Sequence, residues 1–158
     1  MGLSGILLKR KDEINPLKII EDIKAAAEKA GLFIKINDNF IFKDDGSFRY
    51  TTANITNTLE DTDERLDLLM YVYGESESDY DKEYDWIIRN GLLNQVINIE
   101  DFDGCEKILL DFVYEYMELN PNDIFWNELE WFYNYKDIAL IHKQAFNSEW
   151  CYKNPEDK

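Results

Sequence analysis

Histidine and cysteine, which supply many catalytic bases, nucleophiles and metal ligands, are scarce in this sequence. The 158 residues include one histidine, His142, and two cysteines, Cys105 and Cys151. A histidine base needs a reachable nucleophile and an orienting group, and the sequence suggests neither for His142. Two isolated cysteines are too few for a disulfide framework or a zinc site, so we interpret them as reduced structural thiols. We therefore expect no catalytic residues, no metal and no cofactor.

Cofactor motifs are missing as well. The sequence has no Walker A loop, no glycine-rich dinucleotide fingerprint and no His-Glu-x-x-His pattern. Asp79, Asp81 and Glu83 have the alternate spacing of a calcium loop, but the turn glycine and the twelfth-position glutamate are absent. A carboxylate pair for hydrolysis is defined by distance in space, and among 33 acidic residues some pair always fits. A small carboxylate-dependent hydrolase thus remains an alternative function.

Basic residues are few relative to acidic ones. Seventeen Lys and Arg against 33 Asp and Glu give a net charge of −16 and a pI near 4.3. Nucleic acids and anionic membranes are bound mainly through basic side chains, so this balance disfavours both. An acidic surface attracts cationic partners, which favours a basic protein partner, although acidity also confers solubility without any partner. No segment resembles a membrane span or a signal peptide, so we predict a cytoplasmic protein.

The sequence contains enough apolar residues to form a hydrophobic core. Hydrophobic residues make up 45% and aromatic residues 15% of the chain, which excludes intrinsic disorder. Asn15 and Pro16 begin a predicted helix that Gly31 ends. Asp103 and Glu106 resemble a capping box, which predicts a second helix from Asp103 to Asn120, and a third helix is predicted over 136–145. Strands are predicted over 6–9, in a meander through 33–55, and over 92–99.

Two further segments complete the predicted elements. The acidic start of residues 60–73 resembles the beginning of a helix, whereas the apolar end of this segment resembles a buried strand. Hydrophobic periodicity does not decide between the two. A short helical stripe precedes Gly91. The whole of residues 1–158 is predicted to form a single α+β domain, an antiparallel sheet covered by several helices.

An alternating acidic segment follows the ambiguous one. Its carboxylates, opposed only by Lys82, are Glu75, Glu77, Asp79, Asp81, Glu83 and Asp85. Like charges at this spacing repel each other unless they are solvated or met by a cation. The segment is therefore either a partner-binding surface or a solvated loop.

Residues 124–135 form an aromatic segment. It contains Phe125, Trp126, Trp131, Phe132, Tyr133 and Tyr135, together with Glu128 and Glu130. Aromatic residues at this density usually belong to a core. Exposed tryptophans beside carboxylates would instead anchor a basic partner, so we name Trp126, Glu128, Glu130 and Trp131 as further partner-binding candidates.

The C-terminal third carries a resemblance. Asn120-Pro-Asn-Asp-Ile-Phe-Trp-Asn-Glu128, Trp131-Phe-Tyr133 and Trp150-Cys-Tyr-Lys-Asn-Pro155 resemble the closing segment of small acidic uncharacterised bacterial proteins, some of which are similar to immunity proteins of polymorphic toxin systems. The resemblance implies a cytoplasmic antitoxin that occludes a toxin, often a basic nuclease. It implies no role for an individual residue.

Together these observations predict an acidic protein-binding domain, immunity-like, that neutralises a toxin or another basic protein by occlusion. We expect a non-enzymatic monomer or weak homodimer that binds neither nucleic acid nor membrane. The alternatives are a nucleic-acid mimic, which would present carboxylates over a long face, and the hydrolase, which would present two carboxylates across a deep pocket.

Overall fold

The computed structural model describes residues 3–37, 41–42, 48–73, 93–127 and 131–153. Within these ranges the chain forms eight strands and three α-helices. The strands are β1 (Gly5–Arg10), β2 (Phe33–Ile36), β3 (Ile41–Phe42), β4 (Phe48–Thr56), β5 (Asp67–Tyr73), β6 (Leu93–Glu100), β7 (Ile124–Asn127) and β8 (Phe132–Tyr133). The helices are α1 (Pro16–Lys29), α2 (Glu106–Leu119) and α3 (Tyr135–Lys143). Two short 3₁₀ turns cover Lys11–Glu13 and Trp150–Tyr152.

The strands form one sheet in the order β2-β4-β5-β6-β1-β7-β8, with β3 also pairing with β4. Every described pair is antiparallel. The first strand lies inside the sheet, between β6 and β7. β6 and β7 are both antiparallel to β1, so they run parallel to each other and α2 connects them. This architecture confirms the predicted α+β class with an antiparallel sheet and covering helices.

The main core lies between the helices and one face of the sheet. Alternation places Leu68, Met70 and Val72 of β5 on this face, each at most 1% exposed. They belong to one buried cluster with Ile23 of α1 and Leu109 of α2. A smaller cluster of Ile6, Leu8 and Trp126 lies on the opposite face.

Among the described residues, the structure contains no helix with the length and hydrophobicity of a membrane span.

The first helix begins and ends as its sequence predicts. The Asn15 side chain accepts a hydrogen bond from the Lys18 backbone N–H at 3.3 Å, and Pro16 fills the first turn. Gly31, with φ of +74°, follows the last turn in the left-handed conformation that glycine adopts most easily. The prediction made from these local signals is confirmed.

The predicted capping box of α2 is wrong. Cys105 is the N-cap residue and makes no side-chain cap hydrogen bond. Asp103 instead accepts a hydrogen bond from the Leu3 backbone N–H, and Glu106 accepts one from the Gly104 N–H. Packing of the N-terminal segment against this loop thus provides Asp103 with a different donor. The helix nevertheless lies within the predicted span, but it begins at Glu106, later than the predicted start at Asp103.

The ambiguous segment and the last helix are also resolved. Asp67–Tyr73 is a strand, which settles the choice left open for residues 60–73. The last helix begins at Tyr135, where Asn134 and Asp137 form a capping box that was not predicted from the sequence. The predicted helical stripe before Gly91 lies outside the described residues.

Candidate interaction surface

One end of the sheet carries a concentration of carboxylates, which we call the acidic end and define as residues 57–67 and 100–106. β4 and β6 finish here and β5 begins here, because Thr56 pairs with Asp67 and Leu69 pairs with Glu100. The two segments hold nine acidic residues and one basic residue, Arg65. The acids are Glu60, Asp61, Asp63, Glu64, Asp67, Glu100, Asp101, Asp103 and Glu106. Their local net charge is 1 − 9 = −8, half of that of the whole chain.

Hydrogen bonds fix the loop between β4 and β5. Asn57 closes its base, because its Oδ1 accepts from the Leu66 N–H at 2.8 Å and its Nδ2 donates to the Glu64 carbonyl at 3.1 Å. The Thr58 hydroxyl accepts from the Glu60 N–H at 3.1 Å. The Arg65 N–H donates to the Thr62 carbonyl at 3.1 Å. The loop is thus preorganised by its own side chains and backbone.

The carboxylates of this loop face solvent. Glu60, Asp61, Asp63 and Glu64 are exposed, and none of the four forms an ion pair within the described residues. Arg65 does not neutralise them, since its Nε lies 3.4 Å from Asp67 Oδ1. Four carboxylates within the five residues 60–64, none of them in an ion pair with a described residue, produce a strong local negative potential.

Apolar side chains accompany these charges. Leu59, at the start of the loop, is 68% exposed. Phe33 is 44% exposed and lies on β2 opposite Thr56, at the same end of the sheet. Both side chains belong to the small set of large hydrophobic residues that the described part of the chain exposes. The acidic end therefore combines charge with exposed apolar surface.

The loop between β6 and α2 extends the same surface. Asp101 has φ of +47° and Gly104 has φ of +85°, so the chain turns sharply between strand and helix. Cys105 Sγ donates to the Asp67 carbonyl at 3.5 Å, which links this loop to the start of β5. Burial by itself would raise the pKa of Glu106, but hydrogen bonds from Tyr152 and from the Gly104 N–H lower it overall. Glu106 is therefore held in its charged form.

Some of the partner-binding residues predicted from the sequence lie outside the described residues, and the others are buried or half-buried. The acidic segment of Glu75, Glu77, Asp79, Asp81, Glu83 and Asp85 lies outside the described residues, as do Glu128 and Glu130. Trp126 is 7% exposed and packs with Ile6 and Leu8. Trp131 is half-buried and packs against the main core. We therefore identify the acidic end as the candidate interaction surface. It was not predicted from the sequence, because residues 60–64 resembled the start of a helix.

A second polar feature lies at the other end of the sheet. Lys9 Nζ donates to Asp123 Oδ1 at 3.0 Å and to Asn120 Oδ1 at 2.9 Å, and the Tyr116 hydroxyl donates to Asp123 Oδ2 at 3.0 Å. Lys9, Asp123 and Tyr116 are almost completely buried. Burial raises the pKa of Asp123 to about 6, although Lys9 lowers it. Burial also raises the pKa of Tyr116.

This buried network borders a cleft of about 320 Å³ that includes two carboxylates, Glu13 and Asp22. Asp22 Oδ2 already accepts from Lys18 Nζ at 2.7 Å and from Asn120 Nδ2 at 3.2 Å. Asp123, the carboxyl whose pKa is raised, is 1% exposed and does not line the cleft. The cleft therefore does not present the Asp123 carboxyl to a bound substrate.

The single histidine and both cysteines lie within the described residues. His142 stacks on Tyr114 with ring centroids 4.0 Å apart, and its Nε2 lies 3.4 Å from Asp111 Oδ1. Cys105 and Cys151 are buried free thiols, and burial raises the pKa of both, that of Cys151 to about 12. Within the described ranges no three His, Cys, Asp or Glu side chains are grouped as metal ligands.

No protein-family model matches the sequence, and no curated protein or solved structure matches the chain.

Proposed function

We propose that this protein binds a basic protein partner through the acidic end and acts by occluding it. The observation that carries the proposal is the charge of −8 on two adjoining loops, with Leu59 exposed beside them. Long-range attraction by such a surface accelerates the encounter with a cationic partner. Leu59 and Phe33 then supply apolar contact area at short range.

The carboxylates of the acidic end also indicate which kind of partner surface would be complementary to it. Lysine and arginine side chains surrounding an apolar depression would complement the carboxylates and Leu59 together. A preorganised loop also lowers the entropy cost of binding, because Asn57 already fixes the backbone that presents the acids. A basic protein is thus a better match than a nucleic acid, whose phosphates the acidic end would repel.

Occlusion of a toxin is the specific form of this function that we propose. It is supported by the resemblance of the C-terminal third to segments of small bacterial proteins similar to immunity proteins. The strong acidity of the chain is consistent with such a role, since the toxins concerned are often basic nucleases. The toxin itself is to be identified by experiment.

The experiment compares two variants that each remove four negative charges. The neutral-loop variant carries Glu60→Gln, Asp61→Asn, Asp63→Asn and Glu64→Gln. The control variant carries Asp12→Asn, Glu13→Gln, Glu21→Gln and Glu118→Gln, which replace exposed carboxylates outside the acidic end. Both should fold normally, because exposed charges contribute little to stability.

Each protein is immobilised and incubated with lysate of its native cells, and the captured proteins are identified by mass spectrometry. We expect the wild type and the control variant to retain the same basic protein and the neutral-loop variant to lose it. Expression of the captured protein should arrest growth, and co-expression of the wild type should restore it. A partner retained equally by both variants would contradict the acidic end as the binding surface, whereas a partner that never affects growth would contradict only the antitoxin role.

A further inference from the structure

β2 is the terminal strand of the described sheet on the side of β4. Its register pairs Phe33 with Thr56, Lys35 with Asn54 and Ile36 with Ala53. One residue further, the Asn37 backbone N–H donates to the Thr52 carbonyl at 3.0 Å. This bond makes 37 and 52 a hydrogen-bonded pair in the antiparallel ladder.

Hydrogen-bonded pairs alternate with non-hydrogen-bonded pairs along such a ladder. Lys35 and Phe33 therefore direct their backbone groups towards β4, as Asn37 does. Ile34 and Ile36 direct their N–H and C=O groups away from β4, to the outer edge. No strand among the described residues pairs with that edge. The edge thus presents two backbone N–H donors and two C=O acceptors with which a further strand could pair.

An apolar groove adjoins these backbone groups. It has a volume of about 710 Å³ and lies between α1 and β2, lined by Leu32, Phe33, Ile34 and Ile36 with Gly31, Lys24 and Glu28. Ile34 and Ile36 are half-buried and pack against the main core. The outward-facing backbone groups of β2 and the apolar groove thus lie side by side. Proteins that bind a peptide as an added strand use this arrangement.

The charge of this region differs in sign from that of the protein. Residues 24–36 contain Lys24, Lys29 and Lys35 but only Glu28 as an acid, a local charge of 3 − 1 = +2 on a chain of −16. Lys35 is exposed on the face of β2 opposite Ile34 and Ile36, and Lys24 is an exposed residue that lines the groove. A carboxylate on an added strand, placed opposite Lys35, would form a favourable cross-strand pair.

We propose that the outer edge of β2 binds an extended, acidic segment of a partner protein as an additional strand. Residues of that segment that hydrogen-bond with Ile34 and Ile36 place apolar side chains over the groove. The intervening residues place carboxylates beside Lys35. A second copy of this chain is the poorer occupant, because it brings another charge of −16 and, in the register centred on Lys35, sets two lysines opposite each other. This edge is distinct from the acidic end, although Phe33 lies beside both.

The test uses a capped hexapeptide of alternating glutamate and valine as the probe, titrated into ¹⁵N-labelled protein. Two control peptides accompany it: one replaces glutamate with lysine, and the other is N-methylated at its valines, which blocks the hydrogen bonds to Ile34 and Ile36. Lys35→Glu is compared with Lys143→Glu, a matched charge reversal at an exposed lysine of α3. Neither reversal should affect folding, since both side chains are exposed.

We expect saturable shifts of the amide signals of 33–37 with the glutamate peptide and none with its N-methylated form. Lys35→Glu should weaken this binding about fivefold and favour the lysine peptide, while Lys143→Glu leaves both affinities unchanged. Three results would overturn the proposal: no shifts in β2, equal binding of the N-methylated peptide, or equal effects of the two reversals. Shifts of the same signals on concentrating the protein alone would identify a second copy as the occupant and would also overturn it.

Discussion

Lys9 Nζ and Asp123 Oδ1 lie 3.0 Å apart in an ion pair whose side chains expose only 5% and 1% of their surface. The pair joins β1 to the residue that precedes β7, and Asn120 and Tyr116 connect it to the end of α2. Removing one partner of such a pair leaves a buried charge or an unsatisfied group, which costs far more than an exposed pair contributes.

Lys9→Met should therefore lower the free energy of unfolding by about 3–5 kcal/mol, because Asp123 loses its cationic partner. Lys18→Met, which breaks the exposed ion pair with Asp22, should cost no more than about 0.5 kcal/mol. Lys9→Met combined with Asp123→Leu should cost less than the two single changes added together. Urea unfolding followed by tryptophan fluorescence measures the wild type, the three single variants and the double variant. Equal losses for Lys9→Met and Lys18→Met would show that the buried pair is not structurally important.

The stability of the protein should depend on the ionisation of Asp123. Its pKa is raised from 3.8 to about 6, mainly because burial disfavours the charged form. A raised pKa means that the folded state binds the proton more tightly, so the stabilisation is complete below about pH 4 and is lost as the pH rises to about 6. Relative to Asp123→Asn, the wild type should lose up to about 3 kcal/mol of unfolding free energy across this window. Chemical denaturation at a series of pH values measures the difference, and a constant difference would contradict the raised pKa.

The acidic loop should depend on Asn57 for its shape. Asn57→Ala removes the hydrogen bonds to Leu66 and Glu64 and should cost about 1–2 kcal/mol. The Leu66 amide should exchange with solvent deuterium faster, while the amides of β5 beyond it keep their protection. Asn54→Ala, at an exposed position of β4, serves as the control. Unchanged exchange at Leu66 would show that the loop is fixed by other contacts.

Gly5 allows β1 to pass beneath an aromatic ring. A Cβ atom added there would lie 2.6 Å from Cε1 of Phe125, a side chain that is completely buried. Gly5→Ala should therefore lower stability by about 1–3 kcal/mol through overpacking. The double variant Gly5→Ala, Phe125→Leu should recover part of that loss, as thermal unfolding can show. No recovery would mean that the ring is not the source of the strain.

The sequence predicted those elements whose signals are local. Asn15, Pro16 and Gly31 define α1 through contacts within a few residues, and the structure reproduces them. The strand order was not predictable, because the position of β1 between β6 and β7 depends on pairings about 90 and 120 residues apart. The cap of α2 was mispredicted for the same reason, since the donor to Asp103 comes from Leu3.

The candidate surface was only partly predictable. The sequence indicated an acidic binding surface, but its charge pattern does not show that the loops of 57–67 and 100–106 leave the sheet at the same end. That follows from the pairing of Thr56 with Asp67 and of Leu69 with Glu100. The burial of Lys9 was equally hidden, because a lysine at a strand end is usually exposed. The partner-binding roles suggested for residues 75–85 and for Glu128 and Glu130 remain predictions.

Steering of a basic partner by the acidic end predicts that the rate of association falls as the ionic strength increases. The measurement uses stopped-flow mixing of the captured partner with the wild type, the neutral-loop variant and the control variant. We predict that the neutral-loop variant associates roughly tenfold more slowly at low salt and loses most of the salt dependence, while the control variant stays within about twofold of the wild type. The same rate and the same salt dependence for the neutral-loop variant and the wild type would contradict steering by the acidic end.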